Sequence, residues 1–258
     1  MPFFQTDSLR YFRFESFESL PHAVFTRRGG VSPQPWAELN LGGTVGDDPI
    51  RVSQNRSLMF RSIGRNADHA FDVWQVHGSD VVCAREPRAP GIPHDKADAI
   101  LTDRPGLSLL MRFADCVPIL LWDPGKKVVG LVHAGWQGTV KQVAASAISV
   151  MQAKFGTNPG EVLAGIGPSI AAHHYPVGAE VISEVRQAFG SEAEQFITGN
   201  PQVELDLWKA NQFILERIGV TQIETSGVCT ACNLGDWYSH RTEKGRTGRF
   251  GVLIGLPE

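Results

Sequence analysis

The sequence contains no apolar run long enough to cross a bilayer: a span needs ~18 uninterrupted apolar residues, and the run Val117 to Trp122 is only strand-length. It also lacks an excess of one charge. Lys and Arg total 24 against 27 Asp and Glu, for a net charge of −3 and a pI near 6.2. That balance excludes the basic footprint of a nucleic-acid binder. Cysteine is scarce, at four in 258 residues. A chain of this length hides about 70% of its extended surface on folding and needs no disulfide staples. The four thiols are therefore read as free and the chain as cytoplasmic. Met1 to Arg13 has no long apolar core, so no secretory signal is expected. Repeats, low-complexity tracts and long linkers are absent as well, and one domain over residues 1–258 is expected. With 42% hydrophobic and 20% charged residues, disorder is excluded.

The chain is rich in turn formers, with 27 Gly and 16 Pro. Ala97 to Thr102 and Leu107 to Arg112 read as strands joined by Asp103-Arg104-Pro105-Gly106. Val117 to Trp122 and Lys127 to His133 read as a hairpin across Asp123-Pro124-Gly125. Val140, Val143, Ala144, Ala147, Met151 and Phe155 keep a helical period, with Gly156 as its stop. Glu161 to Ile166 and Arg249 to Leu256 read as further strands. Asp206 is the expected N-cap of a helix carrying Leu207, Ala210, Ile214 and Ile218. Hairpins mixed with helical crossovers predict an α+β fold, layered, with mixed sheets flanked by helices.

Three stretches place a His or Cys at the edge of a predicted strand: Trp74-Gln75-Val76-His77-Gly78, Ala114-Asp115-Cys116-Val117-Pro118 and Val132-His133-Ala134-Gly135-Trp136-Gln137-Gly138-Thr139. A single His there is ordinarily a hydrogen-bonded core residue, and a single Cys a small buried hydrophobe. Together His77, Cys116 and His133 make a Cys/His₂ set, enough for a catalytic zinc with an open fourth position. The same residues also fit a cysteine nucleophile with a histidine base. Gly135 to Thr139 is expected to feed a helix N-terminus near Val140, where free N–H groups attract phosphate or carboxylate. Cys229-Thr230-Ala231-Cys232 is a lone CxxC, read foremost as an inert turn, with a redox pair or half of a structural zinc site as alternatives. Arg241, in Ser239-His240-Arg241, is a candidate anion clamp.

The combination resembles the laccase-domain, YfiH-type family, whose members carry polyphenol oxidase and purine nucleoside phosphorylase labels. The matching pieces are Thr26-Arg27-Arg28-Gly29-Gly30-Val31-Ser32, Asn40-Leu41-Gly42, Gln75-Val76-His77-Gly78, Ala97-Asp98-Ala99, Ala114-Asp115-Cys116-Val117-Pro118, His133-Ala134-Gly135-Trp136, Ile166-Gly167-Pro168-Ser169-Ile170, Cys229-Thr230 and Ser239-His240-Arg241. The resemblance implies an α+β domain and zinc on His77, Cys116 and His133. It implies a purine nucleoside phosphorylase acting on adenosine, inosine or guanosine with phosphate, and methylthioadenosine phosphorolysis and adenosine deamination beside it. Asp115 and Gln75 are then candidates for proton handling and base recognition, Arg27, Asn40 and Arg241 for phosphate and ribose, Gly135 for the anion loop and Trp136 for stacking. Copper is expected to give way to zinc: the chain has 8 His but no HxH pair, and no Met accompanies Cys116 as a blue-copper axial ligand. The alternatives are a metal-free cysteine hydrolase, a copper polyphenol oxidase, and a non-catalytic protein holding a nucleotide or cell-wall precursor. No nucleic-acid or membrane partner is expected.

Overall fold

The computed structural model describes residues 3–6, 9–199 and 201–258. One mixed sheet is built from β1 (Phe3–Thr6), β2 (Leu9–Phe12), β3 (His22–Phe25), β4 (Ala70–Asp72), β7 (Ser108–Phe113) and β14 (Phe250–Gly255), in the order β1-β2-β3-β14-β7-β4. The other runs β13-β10-β8-β9-β6-β5 and is built from β5 (Val81–Cys83), β6 (Ala99–Thr102), β8 (Val117–Asp123), β9 (Val128–Ala134), β10 (Leu163–Ile166) and β13 (Gln222–Thr225). A small ribbon pairs β11 (Ile197–Thr198) with β12 (Glu204–Leu205). The expected hairpin is β8 against β9, antiparallel, with Val117 opposite Ala134.

The two sheets face each other across an apolar layer. Leu109, Met111, Phe113, Val252 and Ile254 of the first sheet meet Ile100, Leu120, Trp122, Val129 and Leu131 of the second. Strand alternation sends Ile119, Leu121, Val128 and Val132 to the opposite face. There they are covered by α3 (Val143–Phe155), α4 (Ala179–Phe189) and α5 (Leu207–Arg217). On the outer face of the first sheet, Ala23, Phe25, Leu110 and Leu253 pack on Met59 and Phe60 of α1 (Pro49–Ser62). Layers on both sides explain why β8 and β9 are buried at every position and read as continuous apolar runs rather than alternating ones. The α+β expectation is met. Among the described residues no helix is long and apolar enough to cross a membrane.

Local capping follows the sequence. Asp206 caps α5 by accepting from the Lys209 N–H, and Gly156 closes α3 in the left-handed region at φ 68°. One expectation is corrected. Gly135 to Thr139 is not a loop feeding a helix at Val140: Trp136–Val140 is itself a separate five-residue helix, α2, with Gly135 as N-cap and the Thr139 N–H bonded to Gly135 O at 2.8 Å. The chain breaks at Gln142, at φ 57°, before α3 begins.

Candidate metal centre and its cleft

Folding brings His77, Cys116 and His133 together although 39 and 17 residues separate them in sequence. Their ligating atoms lie within 4.8 Å of one another. Cys116 Sγ is 3.9 Å from His77 Nε2, and the two imidazoles meet edge to face with centroids 4.9 Å apart. Cys116 opens β8 from its N-terminal side, and His133 is the penultimate residue of the paired β9, so the hairpin register itself sets them near each other. His77 sits on a loop beside β6, at φ 57°.

Asp98 holds this arrangement. Fully buried, its carboxylate accepts the N–H groups of Val76 at 3.1 Å, His77 at 3.0 Å and Gly78 at 2.6 Å, and meets His133 Nδ1 at 2.8 Å. One carboxylate thus fixes the strained His77 loop and turns His133 Nε2 toward Cys116. This is the carboxylate–histidine pairing that orients metal-ligating imidazoles. Burial by itself would raise the Asp98 carboxyl; the His133 bond and the three N–H donors bring it below its ordinary value. Burial would likewise raise the Cys116 thiol, but the His133 and His77 imidazoles overcome it and hold the thiol down to about 6. Burial works to lower His133, and the facing thiolate and Asp98 lift it to about 9. Gly135 is dictated by the same crowding: a Cβ there would stand 2.8 Å from Cys116 Sγ and 3.1 Å from His77 Cδ2.

Two recesses flank the triad and share His77, Ala114, Cys116 and His240 on their walls. The first, about 410 Å³, is faced by Trp136, Tyr175, Ile170, Leu207 and Arg241. The second, about 460 Å³, is faced by Trp74, Gln75, His94, Arg112 and Arg249. The first offers the aromatic faces of Trp136 and Tyr175 beside Arg241; the second offers two arginines, Arg112 and Arg249, beside His94.

Of the remaining sequence candidates, Gly135, Trp136, Asp115, Gln75 and Arg241 border these recesses, and two do not. Arg27 is buried elsewhere, its guanidinium donating to Ala37 O, Leu234 O, Trp237 O and Glu243 and stacked 4.3 Å from the Tyr238 ring centroid. Asn40 is fully buried and spans Asp47, Gly42 and the Arg249 N–H. Both hold loops in shape, and neither borders the recesses where their expected phosphate and ribose contacts would fall. Asp115 and Gln75 are also committed internally. The Asp115 carboxylate, at a backbone φ of 84°, accepts from Thr230 Oγ1, Ser239 Oγ and the Arg241 N–H at 2.7, 3.1 and 2.7 Å. The Gln75 amide clamps both the N–H and the C=O of Arg112. Arg241 donates to Pro176 O at 2.5 Å and covers the Tyr175 ring at 4.6 Å.

Sequence reasoning leaves Asp98 and Tyr175 unassigned, and groups His240 and Arg249 only with the basic cluster around Arg241 that could clamp phosphate or carboxylate. Asp98 carries a signal, as the acid in Ala97-Asp98-Ala99 at a strand start. Tyr175 reaches the cleft from the end of a 3₁₀ turn, and Arg249 from the residue before β14, positions whose side-chain direction no periodicity encodes.

A buried carboxylate orienting one of two imidazoles toward a thiol, between two recesses, makes a Cys/His₂ group that could hold a metal ion with room for other ligands. The chain belongs to the family described as multi-copper polyphenol oxidoreductase laccase, whose model matches residues 21–257. It is 39% identical over 239 residues to a protein of Deinococcus radiodurans named purine nucleoside phosphorylase, covering 93% of this chain and 90% of that one. It is 35% identical over 242 residues to purine nucleoside phosphorylase YlmD of Bacillus subtilis, covering 90% and 87%. The crystal structure of YlmD from Geobacillus stearothermophilus superposes with a TM-score of 0.93 at 31% identity, over 100% of this chain and 99% of that one.

Proposed function

We propose that the chain, acting as one domain over residues 1–258, is a zinc-dependent purine nucleoside phosphorylase that cleaves adenosine, inosine or guanosine with phosphate. The observation that carries this reading is the Cys116, His77 and His133 donor set, opening onto a recess with two aromatic faces on one side and a recess with two arginines on the other. The names of the Deinococcus and Bacillus relatives supply the substrate class. Two imidazoles and one thiolate suit zinc, and neither recess is bordered by a methionine, the weak axial ligand common in blue-copper sites. Bound zinc supplies a Lewis acid able to polarise an oxygen and to neutralise developing negative charge.

Phosphorolysis breaks the bond from ribose C1′ to a purine nitrogen, forms a bond from C1′ to a phosphate oxygen, and leaves a purine that takes up a proton. The base packs in the first recess against Tyr175 and Trp136, where aromatic faces match a purine ring. The phosphate enters the second. There Arg112 is already tied to Asp72 at 2.8 Å and His94 to the same carboxylate at 3.3 Å, whereas Arg249 donates Nη1 to the Thr247 and Gly248 carbonyls and pairs with no carboxylate among the described residues, so its charge is the one left to meet phosphate. His240 stands on the wall shared by both recesses. Its Nδ1 lies 3.5 Å from Arg249 Nη2 and so acts as acceptor, which leaves Nε2 as the N–H able to donate to the departing purine. Asp115 acts through others: by receiving the Arg241 N–H it sets where that arginine stands.

Phosphate decides the reading. Inosine cleavage should saturate with phosphate, yield ribose 1-phosphate, and proceed with arsenate in its place. An unchanged rate in phosphate-free buffer would make the protein a hydrolase and overturn it. A second reading has one observation in its favour: Cys116, His133 and Asp98 also form a thiolate–imidazole–carboxylate line, the arrangement of a cysteine hydrolase. His77, a second imidazole on the same sulfur, has no role there. Zinc content with activity lost on chelation separates the two readings.

A further inference from the structure

The lone CxxC is not an isolated turn. Folding carries it to a pair of adjacent histidines 55 to 59 residues away, and all four side chains converge. His173 and His174 lie on the single 3₁₀ turn Ala172–His174 between β10 and α4, and Cys229 and Cys232 lie on the turn after β13. Their four ligating atoms fall within 4.8 Å of one another. His173 Nε2 is 3.1 Å from Cys232 Sγ; His174 Nδ1 is 3.7 Å from Cys229 Sγ and 3.6 Å from Cys232 Sγ. A tetrahedral zinc with Zn–S near 2.3 Å and Zn–N near 2.05 Å separates neighbouring S and N ligands by about 3.6 Å. Two of the three contacts match that edge, and the third is shorter by about half an ångström.

A further contact supports it. The Ala171 N–H points at Cys229 Sγ from 3.4 Å, the donation that a metal-bound thiolate accepts. The set also differs in kind from His77, Cys116 and His133. Four protein donors fill a tetrahedron and leave no position for substrate, which is the mark of a structural site.

We propose that His173, His174, Cys229 and Cys232 bind a second zinc ion, closed by these four ligands, which pins two turns behind the cleft. The turns need a pin, because the regular backbone pairing between them is confined to a bridge. Ser169 pairs with Cys229, with the Ser169 N–H on Val228 O at 3.1 Å and the Thr230 N–H on Ser169 O at 3.0 Å. They carry the cleft wall between them: Ile170 and Tyr175 on one side, and on the other Thr230, which bonds the Asp115 carboxylate at 2.7 Å. The zinc would therefore lock the position of Asp115 and, through it, Arg241. The correction to the inert-turn reading is that Cys229 and Cys232 are half of a His₂Cys₂ set whose other half comes from the 3₁₀ turn.

The test uses the whole chain and zinc or cobalt alone as probe. Purified wild-type protein should hold about two zinc ions per chain and Cys116→Ala about one, since one open and one closed site are present. In Cys116→Ala the cobalt form should show tetrahedral absorption with two-thiolate charge transfer, which a single-thiolate site cannot give. Cys232→Ser and His173→Gln, both at exposed positions, should each lose one zinc and melt at lower temperature than wild type. If those variants fail to fold, alkylation of folded Cys116→Ala tests the same site: Cys229 and Cys232 should resist modification until a chelator is added, and the chelator should lower the melting temperature. A zinc-free Cys116→Ala protein would overturn the proposal. So would a mass two hydrogens short, the sign of a Cys229–Cys232 disulfide, with no zinc bound.

Discussion

Among the described residues two clusters of histidine and cysteine form, and they are built in opposite ways. His77, Cys116 and His133 come from strand ends and a strand-edge loop, are aimed by a fully buried Asp98, and open onto recesses of about 410 and 460 Å³. His173, His174, Cys229 and Cys232 come from two turns, supported from outside the set by the Ala171 N–H on Cys229 Sγ and the Ser169–Cys229 bridge. The first has three donors and rigid buttressing; the second has four donors and little else. A reacting centre needs an open position and fixed geometry, and a staple needs only its own ligands. The difference between the clusters is therefore the difference between a site that a fold presents and a site that holds a fold.

That contrast can be broken by substitution. The largest effect is expected from Cys116→Ala: nucleoside turnover abolished, one metal lost, and the melting temperature little changed, because the residue is a donor at the edge of a core completed by others. Metal analysis beside calorimetry checks it, and full activity in a folded variant lacking that metal would refute the first half of the comparison.

Next come the two arginines. Arg249→Ala should raise the half-saturating phosphate concentration about 10- to 150-fold, the worth of one charge-assisted bond at about 1.5–3 kcal/mol. Arg241→Ala should instead act mainly on the nucleoside KM, since its guanidinium stands over Tyr175 on the aromatic side. Equal phosphate effects in both variants would show that the two recesses are not specialised. Asp98→Asn should weaken metal affinity of the open centre about 10- to 100-fold, as loss of an orienting carboxylate does elsewhere. Competition with a chromophoric chelator measures it, and the closed cluster should keep its ion in the same titration.

The smallest effect comes from an imidazole outside both clusters. His22 is buried, accepts the Phe14 N–H at 2.9 Å on Nε2, and has its pKa lowered to about 4 by burial. Above its ordinary value of 6.5 both folded and unfolded chains are neutral there. As pH falls the unfolded chain takes a proton that the folded one refuses, so stability drops between 6.5 and about 4. Between about pH 7 and pH 6 the loss is roughly 0.7 kcal/mol. His22→Gln should flatten that slope in denaturant titrations at the two pH values, whereas an unaltered slope would place the titrating group elsewhere.

The central hairpin was legible because Asp123-Pro124-Gly125 is a turn flanked by strands so buried that every residue is apolar or paired. Helix α5 was legible through its Asp206 cap and the period of Leu207, Ala210 and Ile214. The break between α2 and α3 was not, because Gln142 takes a left-handed backbone that no glycine announces. Helix α1 went unread although Asp48 and Pro49 supply a cap and a favoured first residue. The open cluster was legible as three motifs, but their convergence depends on β8–β9 register and on Asp98. The closed cluster was half legible, as a CxxC. Its histidines stand on a 3₁₀ turn more than fifty residues earlier, brought to it by the parallel approach of β10 and β13.

The most direct measurement is inosine turnover against phosphate concentration, made on protein of known zinc content and on its Cys116→Ala variant. Turnover should depend hyperbolically on phosphate, release ribose 1-phosphate, and vanish in the variant. Turnover that ignores phosphate, or that survives loss of the Cys116 metal, would contradict the assignment of a zinc-dependent phosphorylase.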